Sequence, residues 1–185
     1  MSSIVSVLSL LESEGINRER RDRIIRHTCN YILSQEIDHV KYGAFFPSQS
    51  LENNPGDDNH YSRLAWCYGD LGVATSLWQA GKALHNREWQ EKALEVLRFS
   101  TSRRDFRNAG VIDAGLCHGA ASVCMMFHYA YRQTGEKLFE EVRDYWFDVT
   151  LNIGSRKEGL AGYSAWHMAE YGGWVKEYGL LEGIS

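Results

Sequence analysis

Apolar residues recur along the chain in three pairs of segments, each pairing a run apolar almost all round with a following run that has one apolar stripe. Ser3 to Leu11 is rich in Ile, Val and Leu. It is followed by Asn17 to Gln35, where Ile25, Thr28, Cys29 and Ile32 fall at i, i+3, i+4, i+7 spacing. The second pair is Gly72 to Ala80 and Asn86 to Ser100, the latter striped by Trp89, Ala93, Val96 and Leu97. The third is Ala120 to Arg132, with Val123, Met126, Phe127 and Ala130, and then Glu136 to Leu151, striped by Phe139, Val142, Trp146 and Val149. Gly15 and Gly135 fall at turns, and Gly81 is expected to help end its helix.

A helix apolar on every side needs cover on every side, whereas one with a charged back can face water, so the pairs predict an inner and an outer layer of helices. The expected fold class is all-α, a two-layer array of helical hairpins. Two of the inner helices share their entry: Cys67-Tyr68-Gly69-Asp70 is followed 50 residues later by Cys117-His118-Gly119-Ala120. Such register indicates internal repeats. Leu180 to Ser185 reads as the start of a third copy, which suggests a chain cut before its next hairpin. Two Gly- and aromatic-rich connections, Ile37 to Leu64 and Gly154 to Gly179, break the alternation, and loops of that length in compact domains are often functional.

Composition narrows this picture. Over 185 residues, 44% hydrophobic and 24% charged residues describe an ordinary folded domain, and only two prolines leave long stretches free to be helical. A net charge of -4, with Arg18 to Arg26 interrupted by Glu19 and Asp22, argues against nucleic acid as a partner. The apolar run Ile4 to Leu11 is far short of the ~20 residues of a membrane span and has no cationic leader, so no membrane span and a cytoplasmic location are expected. Four cysteines in that setting read as thiols or metal ligands rather than as a disulfide framework.

Cys67 and the pair Cys117-His118 occupy equivalent repeat positions at the mouths of inner helices. A Cys, Cys, His set leaves tetrahedral zinc an open fourth position, the arrangement of catalytic rather than closed structural sites. Neighbouring Cys117 and His118 can serve one ion if the backbone turns, and Gly119 supplies that freedom. Spacing alone leaves a second reading open, buried thiols at helix ends, which is the commoner case. Cys124 and His128 share a helix face at i, i+4 but have no third ligand in register; Cys124 is expected in the core and His128 buried or half-buried and hydrogen-bonded. His27, His39, His60 and His85 are expected to face solvent, and His167 stays unassigned.

Arg63-Leu-Ala-Trp-Cys-Tyr-Gly-Asp70 and Gly115-Leu-Cys-His-Gly119 resemble the two zinc motifs of the lanthionine synthetase C-like family. Tyr171-Gly-Gly-Trp174 and Gly179 to Ser185 resemble the family's last connection and the entry to its final hairpin, so the likeness covers nearly the whole chain. It implies an α/α toroid, present here as an incomplete ring, with residues 1–185 forming the C-terminal half of the domain without the final hairpin. It also implies Zn2+ as cofactor, Cys67, Cys117 and His118 as its ligands, and Arg63 and Tyr68 bordering the site.

The activity implied is that of a peptide cyclase acting on a dehydrated precursor peptide, whose cysteine adds to dehydroalanine or dehydrobutyrine to give a thioether ring. A dehydratase or a separate N-terminal half would be further partners. The family's acid/base histidine and its aspartate lie upstream of these motifs. Two other functions therefore stay open: a non-catalytic zinc- or peptide-binding half-toroid, and a relative that adds glutathione.

Overall fold

A computed structural model describes residues 2–11, 14–15, 17–49, 62–154, 161–167 and 173–181. Eight helices occur among them. Three hairpins match the three predicted pairs: α1 (Ser2–Leu10) with α2 (Arg18–Leu33), α4 (Gly69–Ala83) with α5 (Arg87–Ser100), and α7 (Ala120–Thr134) with α8 (Lys137–Ile153). Two one-turn helices, α3 (His39–Tyr42) and α6 (Phe106–Ala109), were not predicted. Each is set by local chemistry alone. The Asp38 carboxylate accepts from the Val40 and Lys41 N–H groups and Gly43 closes the turn with φ 70°; Asp105 accepts from Arg107 and Asn108, and Gly110 closes with φ 67°. A helix this short has no amphipathic period, so periodicity could not reveal it.

The chain divides into two compact units, Met1–Ser62 with Cys67–Ser102, and Arg63–Trp66 with Arg103–Ser185. In the first, α4 packs against α1, α2 and α5 and is buried along most of its length, including Leu71, Ala74, Leu77 and Ala80. Small residues let α1 approach: the Ser76 hydroxyl lies 2.9 Å from the Ser2 carbonyl and 3.2 Å from the Ser6 hydroxyl. Buried Arg21 on α2 donates to the Leu11 carbonyl just past α1 and pairs with Asp22, satisfying a helix-end acceptor. Asn86 caps α5 by accepting from Trp89 N–H at 3.1 Å.

Three expectations need correction here. Only α4 among the inner helices is covered nearly all round. α1 buries Ser2, Val5 and Ser9 but leaves Ile4, Val7 and Leu10 exposed at 54%, 57% and 68%, because it meets α4 and α2 on one side only. α7 likewise buries a single face, through Val123, Met126, Phe127 and Ala130. Gly81 does not end α4, which continues to Ala83; a Cβ there would strike Gln90 and the Asn86 carbonyl, so its role is to let α5 close in.

In the second unit α7 turns into α8 at Gly135 (φ 72°), with Phe127 and Phe139 6.1 Å apart across the hairpin and Trp146 buried beyond them. The connection after α8 contains a two-stranded antiparallel ribbon, β1 (Ala165–Trp166) and β2 (Trp174–Val175), pairing Ala165 with Val175 and Trp166 with Trp174. No described helix is long and apolar enough to cross a membrane.

The wholly buried Cys29 thiol of α2 is pushed up to about 12 by loss of solvation. Because the folded value lies above the unfolded 9.0, the stability from keeping this thiol neutral is complete below about pH 9 and is lost as pH rises toward 12. Iodoacetamide at pH 8 is expected to label exposed Cys67 of the metal-free native protein and to spare Cys29. Equal labelling of the two would contradict this packing.

Candidate metal centre

The second unit builds the turn that carries Cys117 and His118 around one buried carboxylate. Asp113, 2% exposed, accepts from Gly115 N–H with Oδ1 (3.0 Å) and from Trp166 N–H with Oδ2 (2.8 Å), tying the turn to β1. Its backbone carbonyl accepts from Ala120 N–H at 2.8 Å, and the Gly115 carbonyl accepts from the N–H groups of Gly119 (3.0 Å) and Ser122 (3.3 Å). Donors that α7 cannot satisfy internally at its start are thus met by the turn ahead of it. Gly119 is required for space, not for the turning freedom expected of it. Its φ of -95° suits any residue, but a Cβ would overlap the Gly115 nitrogen and the Asp113 carboxylate.

The segment Arg63–Trp66 belongs to the same unit and is pinned to this turn. Leu64 N–H donates to the Ala109 carbonyl (2.7 Å). Trp66 N–H reaches both the Cys117 carbonyl and the Ser122 hydroxyl at 3.2 Å. Cys117 N–H is itself held by the Leu181 carbonyl at 2.9 Å. Cys67 is the next residue in the chain after Trp66.

Beyond Cys67, Tyr68 is extended and Gly69 takes φ 74°, a left-handed conformation that costs glycine little and turns the chain into α4. Asp70, wholly buried, accepts from Phe46 N–H at 2.9 Å and Phe45 N–H at 3.1 Å, fastening the connection after α3 to the first turn of α4. Phe45 in turn stacks on His39, with ring centroids 4.1 Å apart, and meets Phe99 edge-on.

Sulfur or ring-nitrogen atoms of Cys67, Cys117 and His118 all lie within 4.8 Å of one another, with Cys67 exposed and the other two half-buried. Zinc bonded at about 2.3 Å to sulfur and about 2.0–2.1 Å to nitrogen needs its ligand atoms on the order of 4 Å apart, a separation with which this set is compatible. It is the only cluster of three or more such groups among the described residues. Tyr68 is adjacent in sequence and half-buried, and Arg63 is half-buried on the pinned segment.

Cys124 and His128 join no cluster. Cys124 is half-buried rather than in the core, with its thiol pushed up chiefly by burial, and His128 is exposed, because only the opposite face of α7 is packed. His39 is not simply solvent-facing, since it is stacked on Phe45; His27 and His85 are exposed as expected, and His60 lies outside the described residues. His167 follows β1 and its N–H donates to the Gly173 carbonyl at 2.8 Å. Sequence reading missed Asp113 altogether. Its one signal was an Asp two residues ahead of Gly115, a common loop pattern.

A mostly helical hairpin fold with a Cys, Cys, His cluster ahead of two helix entries defines a narrow class, and the chain belongs to it: the model of the lanthionine synthetase C-like protein family matches residues 1–185. Among solved structures it is similar to nisin cyclase, with TM-score 0.71 and 19% sequence identity over 99% of this chain. The chain is mostly helical, as the expected all-α fold class requires, and shares its fold with that structure. This chain spans 42% of the nisin cyclase chain. A search of curated proteins found no match.

Asp113→Asn is expected to lower the unfolding free energy by about 1–3 kcal/mol, since the amide must turn an N–H toward one of two backbone donors and leave it unsatisfied. Urea denaturation of the metal-free protein measures this, and an unchanged midpoint and slope would contradict the role assigned to the carboxylate.

Proposed function

We propose that the chain acts as part of a lanthionine synthetase type of peptide cyclase, with Zn2+ held by Cys67, Cys117 and His118. The observation that carries this reading is the convergence of those three ligand groups in a chain matched along its length by the family model. Zinc held by these residues would favour the thiolate form of an incoming thiol near neutral pH, where free cysteine with a pKa of about 8.5 is mostly protonated.

The substrate in this proposal is a dehydrated precursor peptide. Its cysteine sulfur forms a C–S bond to the β-carbon of dehydroalanine or dehydrobutyrine. The alkene pair shifts toward the adjacent carbonyl as an enolate, and a proton taken up from solvent at the α-carbon, balancing the one the thiol loses, completes the thioether. Tyr68 and Arg63, bordering the cluster along the chain, are assigned to stabilise the enolate charge, the Tyr68 hydroxyl by hydrogen bonding and the Arg63 guanidinium by charge. Buried Asp113 and Asp70 keep the ligand-bearing segments in place, so that little reorganisation accompanies thiol entry.

Two measurements test this. Zinc content of the purified protein is expected near one per chain and to fall severalfold in Cys117→Ala; equal zinc in both sinks the site. Incubation with a dehydrated precursor peptide, followed by alkylation and mass spectrometry, is expected to show thiols protected from alkylation. Persistent free thiols would leave a zinc- or peptide-binding module instead. Consumption of added glutathione in place of the peptide's own cysteine would indicate the glutathione-adding relative.

A further inference from the structure

A cavity of about 240 Å3 opens beside Cys67 within the first unit. Its apolar wall is made by Ile32 of α2, Val73 of α4 and Phe46 of the connection that Asp70 fastens. Polar groups come from Gln35 and Ser48, and Tyr68 stands at the cysteine. Among the described residues no charged side chain lines it. The Ser48 hydroxyl oxygen is buried and has no hydrogen-bond partner among the described residues, a state that costs free energy unless something supplies one.

We propose that this cavity is a specificity pocket that takes an uncharged, aliphatic side chain of the substrate peptide next to its reacting cysteine. The proposal rests on the cyclase reading above and adds which sequence context that site prefers. Size supports a single side chain, because small-molecule sites commonly run to about 300–1,000 Å3 and this cavity is smaller. Charge supports an aliphatic one: with no ion among the described lining residues to pair with, an Asp or Lys side chain would be desolvated without compensation. The Ser48 hydroxyl is placed to donate to a peptide carbonyl beside that side chain, which would satisfy it. A peptide whose cysteine lies at Cys67 then has its neighbouring residue directed along the wall from Tyr68 to Phe46.

The test uses the full chain loaded with Co2+ and short peptides acetyl-X-Cys-X-amide, with X as Gly, Leu, Asp or Lys, titrated by the thiolate-to-cobalt absorption band. The Leu peptide is expected to bind about tenfold more tightly than the Gly peptide, the order that burial of a branched aliphatic side chain provides. Asp and Lys peptides should gain nothing over Gly. Gln35→Trp, which fills the cavity from the rim, is expected to erase the Leu advantage while leaving the Gly peptide's Kd unchanged. Equal Kd values for Leu and Gly, with the band present, overturn the pocket and leave the cyclase reading standing. No band with any peptide overturns both. A Leu advantage that survives in Gln35→Trp also overturns the pocket, and Val73→Phe, which fills it from the α4 side, repeats that comparison should Gln35→Trp fail to fold.

Discussion

A helix cannot supply partners for its own first N–H groups, and here the segment that must supply them at α7 is also the one that carries two of the three clustered ligands. The turn from Asp113 to Gly119 meets this demand through carbonyls of Asp113 and Gly115, while the Asp113 carboxylate satisfies the turn's own Gly115 N–H and reaches across to Trp166 in β1. Buried carboxylates of this kind are stable only when fully hydrogen-bonded, so the arrangement tolerates few alternatives. Cys117 and His118 inherit their positions from it.

The same device recurs at α4 with a different layout. Asp70 follows the glycine instead of preceding the cysteine, and it fastens Phe45 and Phe46 rather than its own turn. That places the connection after α3 against the entry of α4 and so shapes the wall of the cavity beside Cys67. Ligand placement and the surroundings of the ligand thus depend on two buried carboxylates. A point change in either is felt at the site through the backbone.

Much of this was legible in the sequence, and the limits are physical. Long helices were found because their apolar faces repeat every three or four residues; α2, α5 and α8 ended within two residues of the expected limits. The repeat spacing of Cys67 and Cys117 revealed equivalent helix entries. What periodicity cannot carry is an element fixed by a single cap, as in α3 and α6, or a ribbon of two-residue strands. Composition also overstated burial: Ile4, Val7 and Leu10 made α1 look like a covered helix, although apolar content says nothing of whether a neighbour is present. Gly119 was rightly singled out but for the wrong reason, since space around Asp113 rather than backbone freedom excludes a side chain.

The central claim is that Cys67, Cys117 and His118 act together on one zinc ion with a position left for a thiol. X-ray absorption at the zinc edge of the loaded protein reads the coordination shell itself. Two sulfur atoms at about 2.3 Å and two nitrogen or oxygen atoms at about 2.0–2.1 Å are expected, with a third sulfur replacing one of the latter on addition of a cysteine peptide. A shell of four sulfur atoms, or one with no sulfur, would contradict it.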